Sequence, residues 1–185
     1  MKYNKINDEV FYITDDIAEI SSQDMEELKK KSKLNTRKTA RICVHQGIEH
    51  SLHEMFIVHN RGAYVRPHQH VNKIESFHII NGDADIIIFD DHGIIINVLE
   101  MGTHLSGKTF FCRLPEKCYH TIFVNSKTLM VHEITNGPFI KGQTIFADWA
   151  PLGTDSKNAE KFMKNIKKQT IHFISKKKNG TKNSY

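Results

Sequence analysis

Cysteine is scarce: Cys43, Cys112 and Cys118 are the only three. They are an odd number with no CxxC pair, which argues against a disulfide framework and a cysteine zinc site and leaves free thiols of a reducing compartment. Long apolar runs are missing too. None approaches the roughly 18 to 20 residues of a membrane-spanning helix, and MKYNKINDEV at the N-terminus lacks the basic, apolar, small-residue order of a signal peptide. The expectation is a cytoplasmic protein with no membrane insertion. A net positive charge is missing from the body of the chain despite a net charge of +5 overall. From Lys157 onward there are nine lysines and one acid, Glu160, so this tail carries +8 and residues 1–156 carry −3. A solvated lysine tail with no helix-turn-helix pattern beside it gives no reason to expect a nucleic-acid partner. No internal repeat is visible. The 185 residues, 39% hydrophobic and 25% charged, suit one compact domain.

Residues 1–40 read as a polar, partly helical lead-in. Ser21 caps a SQDMEELKKKS helix, and Asp24 completes a Ser-x-x-Asp capping box. Residues 41–151 change to short β-rich runs: EMFIVH, AYVRPH, IESFHII, ADIIIFD, GIIINVL, TFFCRL, YHTIFV and TLMVHEI. Turn residues separate them at intervals of about 8 to 12, the pattern of an all-β sandwich or barrel of antiparallel strands. Residues 152–185 form the last unit. Ala159, Phe162, Met163 and Ile166 lie at i, i+3, i+4 and i+7, one apolar helical stripe that docks and leaves its lysines in water. The final dozen residues have little to bury and are expected to be disordered.

What is plentiful is histidine, twelve in all, crowded between His45 and His132. His68 and His70 are two apart on a strand, so they share a face and one metal ion can reach both. Glu75 opens the next run in phase with Phe77 and Ile79, which turns its carboxylate inward, where it is costly unless paired or bound to a cation. His120 heads a strand in phase with Ile122 and Val124. A lone histidine there is ordinarily satisfied by the backbone; in company with the other three it reads as a ligand. Three imidazoles and a carboxylate leave two positions open on a six-coordinate ion.

Gly62, His68, His70, Glu75 and Gly82 match every fixed position of the first cupin motif: glycine, five residues, His-x-His, four residues, glutamate, six residues, glycine. Of the second motif, Pro115 and His120 are in place, Lys117 replaces a glycine, and Asn125 comes one residue late. The chain thus resembles the cupin superfamily. The resemblance implies a double-stranded β-helix barrel (jelly roll), here mainly β with a short N-terminal helical segment and a C-terminal helix. It also implies one divalent transition metal (Fe, Mn, Ni or Zn) on His68, His70, Glu75 and His120. Between Arg37 and Pro151, the order Arg37, Arg41, His45, Pro67-His68, Phe89 to Gly93, Glu133, Gly137-Pro138-Phe139 and Phe146 to Pro151 looks like the WbuC family of cupin-fold metalloproteins. Its members are often encoded among O-antigen and capsule genes, which implies a place in surface-polysaccharide metabolism.

Arg37, Arg41 and His45 form a cationic group suited to gripping the anion of a nucleotide sugar or sugar phosphate; a surface salt-bridge role is the alternative. Arg66 alternates with Tyr64 and His68, so it is a candidate to approach the pocket, and Tyr64 a candidate to touch substrate. Glu133 follows a long apolar run and is a candidate general base. His78 is out of phase with Glu75 and is excluded. Three functions follow: an isomerase- or epimerase-like enzyme of carbohydrate metabolism, an Fe(II) dioxygenase, and a non-catalytic metal- or sugar-binding module. The expected partner is a small anionic sugar derivative, and the expected assembly a homodimer.

Overall fold

A computed structural model of the chain describes residues 2–180. Strands β1 (Tyr3–Lys5) and β2 (Val10–Ile13) precede helix α1 (Ser22–Leu34). Strands follow as β3 (Thr39–Cys43), β4 (Leu52–Asn60), β5 (His68–His70), β6 (Glu75–Asn81), β7 (Ala84–Phe89), β8 (Ile95–Met101), β9 (Phe111–Leu114), β10 (Tyr119–Val124), β11 (Thr128–Asn136) and β12 (Thr144–Phe146). Helix α2 (Ser156–Gly180) closes the described chain. The capping box is present as the sequence indicates: the Asp24 amide donates to the Ser21 hydroxyl and the Ser21 amide to the Asp24 carboxylate.

The strands form two sheets. Sheet A has seven strands in the order β1-β2-β3-β4-β11-β6-β9, and sheet B five in the order β12-β5-β10-β7-β8. Every pairing is antiparallel except β2 with β3. Alternation along the strands sorts side chains into three apolar layers. Between the sheets lie Met55, Ile57, Phe77, Ile79, Leu129 and Val131 from sheet A and Ile86, Ile88, Met101, Ile122 and Val124 from sheet B. On the outer side of sheet A, Phe11, Ile42 and Val58 meet Met25 and Leu28 of α1. On the outer side of sheet B, Ile87, Phe89 and Val98 meet Ile166 of α2, with Phe162 and Trp149 packed against them. The result is four layers: helix, sheet, sheet, helix.

This corrects the expected all-β barrel. Neither sheet closes on itself: β1 and β9 end sheet A, and β12 and β8 end sheet B. The fold is mixed, two open sheets with two helices, and its interior is the space between opposed faces. Alternating apolar residues serve both architectures equally; closure depends on which edge strands exchange hydrogen bonds, a long-range property that no run of eight residues carries. The N-terminal segment also supplies strands, since β1 and β2 extend sheet A beside β3. At the other end α2 continues to Gly180, through residues expected to be disordered. The remainder of that expectation, residues 181–185, lies outside the described residues.

Candidate metal centre

Pro67 has no N–H to give to a ladder, and the run read as AYVRPH is strand only from His68. β5 is three residues long, yet it is held on both sides: His68 pairs with His120 of β10, and Thr144 and Phe146 of β12 pair with His70 and His68. Direct pairing puts the His68 and His120 rings side by side, with centroids 4.6 Å apart, and His70 completes the group at 4.9 Å from His68 and 6.2 Å from His120. Glu75 comes from the opposite sheet. Its phase with Phe77 and Ile79 sends it inward, 6% exposed, while His78 faces out. The carboxylate places Oε1 2.9 Å from His70 Nε2 and Oε2 3.1 Å from His120 Nε2. Ligand atoms of His68, Glu75 and His120 all lie within 4.8 Å of one another, and His70 adjoins this triad through Glu75.

The other ring nitrogen of each histidine is spoken for. His68 Nδ1 lies 2.8 Å from the Arg66 carbonyl and His120 Nδ1 2.9 Å from the Cys118 carbonyl. A carbonyl only accepts, so both Nδ1 atoms carry the proton and, in the neutral ring, both Nε2 atoms present a lone pair. His70 Nδ1 meets the Thr144 hydroxyl at 3.1 Å. Its Nε2 is buried and, though near Glu75, makes no aligned hydrogen bond. An outer hydrogen bond on Nδ1 with Nε2 turned toward a shared point is the arrangement that orients metal-bound imidazoles. Three nitrogens and one carboxylate, buried and with one orphaned ring nitrogen, therefore fit a divalent transition ion.

Electrostatics follow from the same contacts. Burial pushes the Glu75 carboxyl up, but the contacts with His120 and His70 outweigh it and hold the group well below the usual carboxylate range. Burial pulls His120 down and Glu75 more than restores it. His68 is lowered to about 4 by burial and by the charge of His120, which keeps it neutral as a ligand must be.

Glu133, on β11, sits in register with Met55 and Phe77 on the face that meets sheet B. Burial, then the nearby charge of Glu75, raise its carboxyl to about 7, against the opposing pull of Arg41, His120 and Lys73. Arg41 shares the interior face of sheet A with Cys43, and its Nη1 reaches Met55 Sδ at 4.0 Å. His45 is buried and stacks flat on His53, centroids 4.1 Å apart, with its Nδ1 at the Glu54 backbone. The remaining candidates are engaged elsewhere. Arg37 is exposed and pairs with Glu9 at 3.1 Å, the surface salt bridge that was the alternative. Arg66 donates to the Ala147 carbonyl at 2.8 Å and lies over the Phe146 ring, and Tyr64 donates to the Pro151 carbonyl at 2.8 Å. Both fasten the segment leading to α2.

Two residues were missed. Lys73 is buried to 6% exposure in the loop before β6, and Thr135 of β11 lies opposite Glu75 with its hydroxyl buried and unpartnered. The signal was present: Lys73 precedes Glu75 by two and continues the inward phase of Phe77 and Ile79, as Thr135 continues that of Val131 and Glu133.

Residues 20–101, less than half of the chain, match a family model described as a domain of unknown function (DUF6016). Among curated proteins none matches the sequence. Solved structures give a partial likeness to cupin-fold proteins. Oxalate decarboxylase from Bacillus subtilis aligns with a TM-score of 0.46 at 19% identity over 58% of this chain and 27% of its own. The Cnp3 cupin domain of Schizosaccharomyces pombe gives 0.42 at 16% over 54% and 64%. Procruciferin, an 11S globulin of Brassica napus, gives 0.39 at 14% over 48% and 21%. The chain thus spans about a quarter or less of the procruciferin and decarboxylase chains. None of these structures is described as a WbuC-family protein, and the O-antigen and capsule context drawn from that resemblance is not carried forward. Among the described residues no helix is long and apolar enough to cross a membrane.

Proposed function

We propose that the chain holds one divalent transition ion on His68, Glu75 and His120, with His70 as the fourth ligand, and catalyses proton transfer on a small sugar derivative. The observation that supports it is the approach of His70 and His120 Nε2 to the Glu75 carboxylate, with a ligand atom of His68 within 4.8 Å of Glu75 and His120, while Nδ1 of His68 and of His120 is fixed by a backbone carbonyl. A divalent ion here supplies Lewis acidity, polarising a carbonyl or acidifying a hydroxyl. Glu133 takes up and returns the proton. Met55 and Phe77 flank it in the ladder and burial raises its carboxyl to about 7, so it exchanges a proton near neutral pH, taking it from one carbon and returning it to the adjacent one on the same face, as isomerisation requires. Glu75 keeps its charge and orients the imidazoles.

Elemental analysis of protein purified without chelator, beside His120→Ala, tests the centre. About one transition metal per chain, lost in the variant, is expected. Metal absent from both after reconstitution would remove the reading. Turnover of sugar derivatives with and without oxygen then separates proton transfer, which is indifferent to oxygen, from a dioxygenase.

A further inference from the structure

The space between the sheets contains more unsatisfied polarity than the metal ligands explain. Lys73 as a whole is 6% exposed, and its ammonium, which makes no hydrogen bond or ion pair among the described residues, lies 5.5 Å over the half-exposed ring of Phe139. The Arg41 Nε and the Thr135 hydroxyl are also buried without partners. Both cations act electrostatically on Glu133, yet neither approaches it within ion-pair distance. Buried orphan donors are rare in folded proteins, and Lys73 has the carboxyl groups of Glu75 and Glu133 nearby without pairing directly with either. Thr135 is directly opposite Glu75, Arg41 reaches the residue beside Glu133, and Lys73 enters from the loop that leads to Glu75.

We infer that Lys73, Arg41 and Thr135 form an oxyanion subsite beside the metal centre, which takes the carboxylate or phosphoryl group of the substrate. This rests on the reading of the site as a metal centre and names the class of molecule that enters it: a hydroxy or carbonyl compound carrying an acid group. With a divalent ion on three neutral imidazoles and Glu75, the two cations bring the site to a formal charge of about +3 when Glu133 carries its proton and about +2 when it does not, which attracts anions and disfavours neutral sugars in either state. The ammonium and guanidinium supply charge-assisted donors, and the threonine hydroxyl adds a third. Glu133, two residues before Thr135 on the same face of β11, borders the subsite.

Calorimetric titration of protein of measured metal content, with glycolate, with inorganic phosphate and with ethylene glycol as a neutral control, tests the subsite. One or both anions bind and ethylene glycol does not; preference for glycolate assigns a carboxylate, preference for phosphate a phosphoryl group. Lys73→Met and Arg41→Met each weaken the anion by at least about tenfold while metal content is unchanged, and Lys73→Arg retains most of the affinity. Thr135→Val, which alters no charge, gives a smaller loss and serves if a charge variant fails to fold. The inference is overturned if neither anion binds the wild type, or if both charge variants bind as the wild type does with metal retained. Protein that takes up no metal on reconstitution yet binds the anion through Lys73 and Arg41 would keep the subsite and reject the metal centre; metal-loaded protein indifferent to anions would do the reverse.

Discussion

Replacing Glu75 by glutamine keeps the size of the side chain and removes the one negative charge among the proposed ligands. Changes merely adjacent to metal ligands cost about 10- to 100-fold in affinity, so Glu75→Gln should cost at least about 100-fold. Metal content after dialysis against a weak chelator reads this directly, and a variant as well loaded as the wild type would take Glu75 out of the centre. Glu133 poses a different question, because its carboxyl is raised from the ordinary 4.5 to about 7 by burial. A group whose folded pKa is raised binds more protons when folded, so its contribution to stability is full below about 4.5 and is lost as pH rises through about 7. Glu133→Gln removes that loss. Urea midpoints at pH 5 and pH 8 should fall further in the wild type than in the variant; equal falls would mean that Glu133 titrates as an ordinary carboxyl.

At the scale of elements, the best-read features are those that local chemistry decides. Ser21 and Asp24 close the start of α1 with their own side chains, and Ser21→Ala should cost about 1 kcal/mol in a denaturant titration. No change in the midpoint would show that α1 is held by its packing of Met25 and Leu28 alone. Strict alternation in β6 placed Glu75, Phe77 and Ile79 inside and His78 outside, which the structure repeats residue by residue. The stripe of Ala159, Phe162 and Ile166 likewise marks the face that α2 turns to sheet B. What the sequence did not reveal depends on partners distant along the chain. β1 and β12 are three residues each and half of their meaning is the strand beside them. Lys73 is a loop lysine until the fold brings it within electrostatic reach of Glu133, sixty residues later. The anion group assembled in sequence from Arg37, Arg41 and His45 came apart for the same reason, since adjacency in the chain put Arg37 on Glu9 at the surface and left Arg41 inside.

At the scale of the molecule, the candidate centre joins two layers. Glu75 belongs to sheet A, while His68, His70 and His120 belong to sheet B, and neither sheet closes to restrain the other. A bound ion therefore ties the sheets across their shared interior, and its binding energy becomes part of the stability of the sandwich. An ion at 100 times its dissociation constant adds about 2.7 kcal/mol, or roughly 5 to 10 °C in Tm for a chain of this size. Chelator should lower Tm by that amount in the wild type and leave His120→Ala unmoved, because the variant has no ion to lose. Hydrogen exchange locates the effect: amides of β5, β6 and β10 should lose protection on chelation, whereas those under α1, on the far side of sheet A, should keep theirs. Uniform loss of protection would mean that the ion supports the whole fold cooperatively. An equal fall in Tm for wild type and His120→Ala would mean that the chelator acts elsewhere, and that the ion does not tie the sheets through these residues.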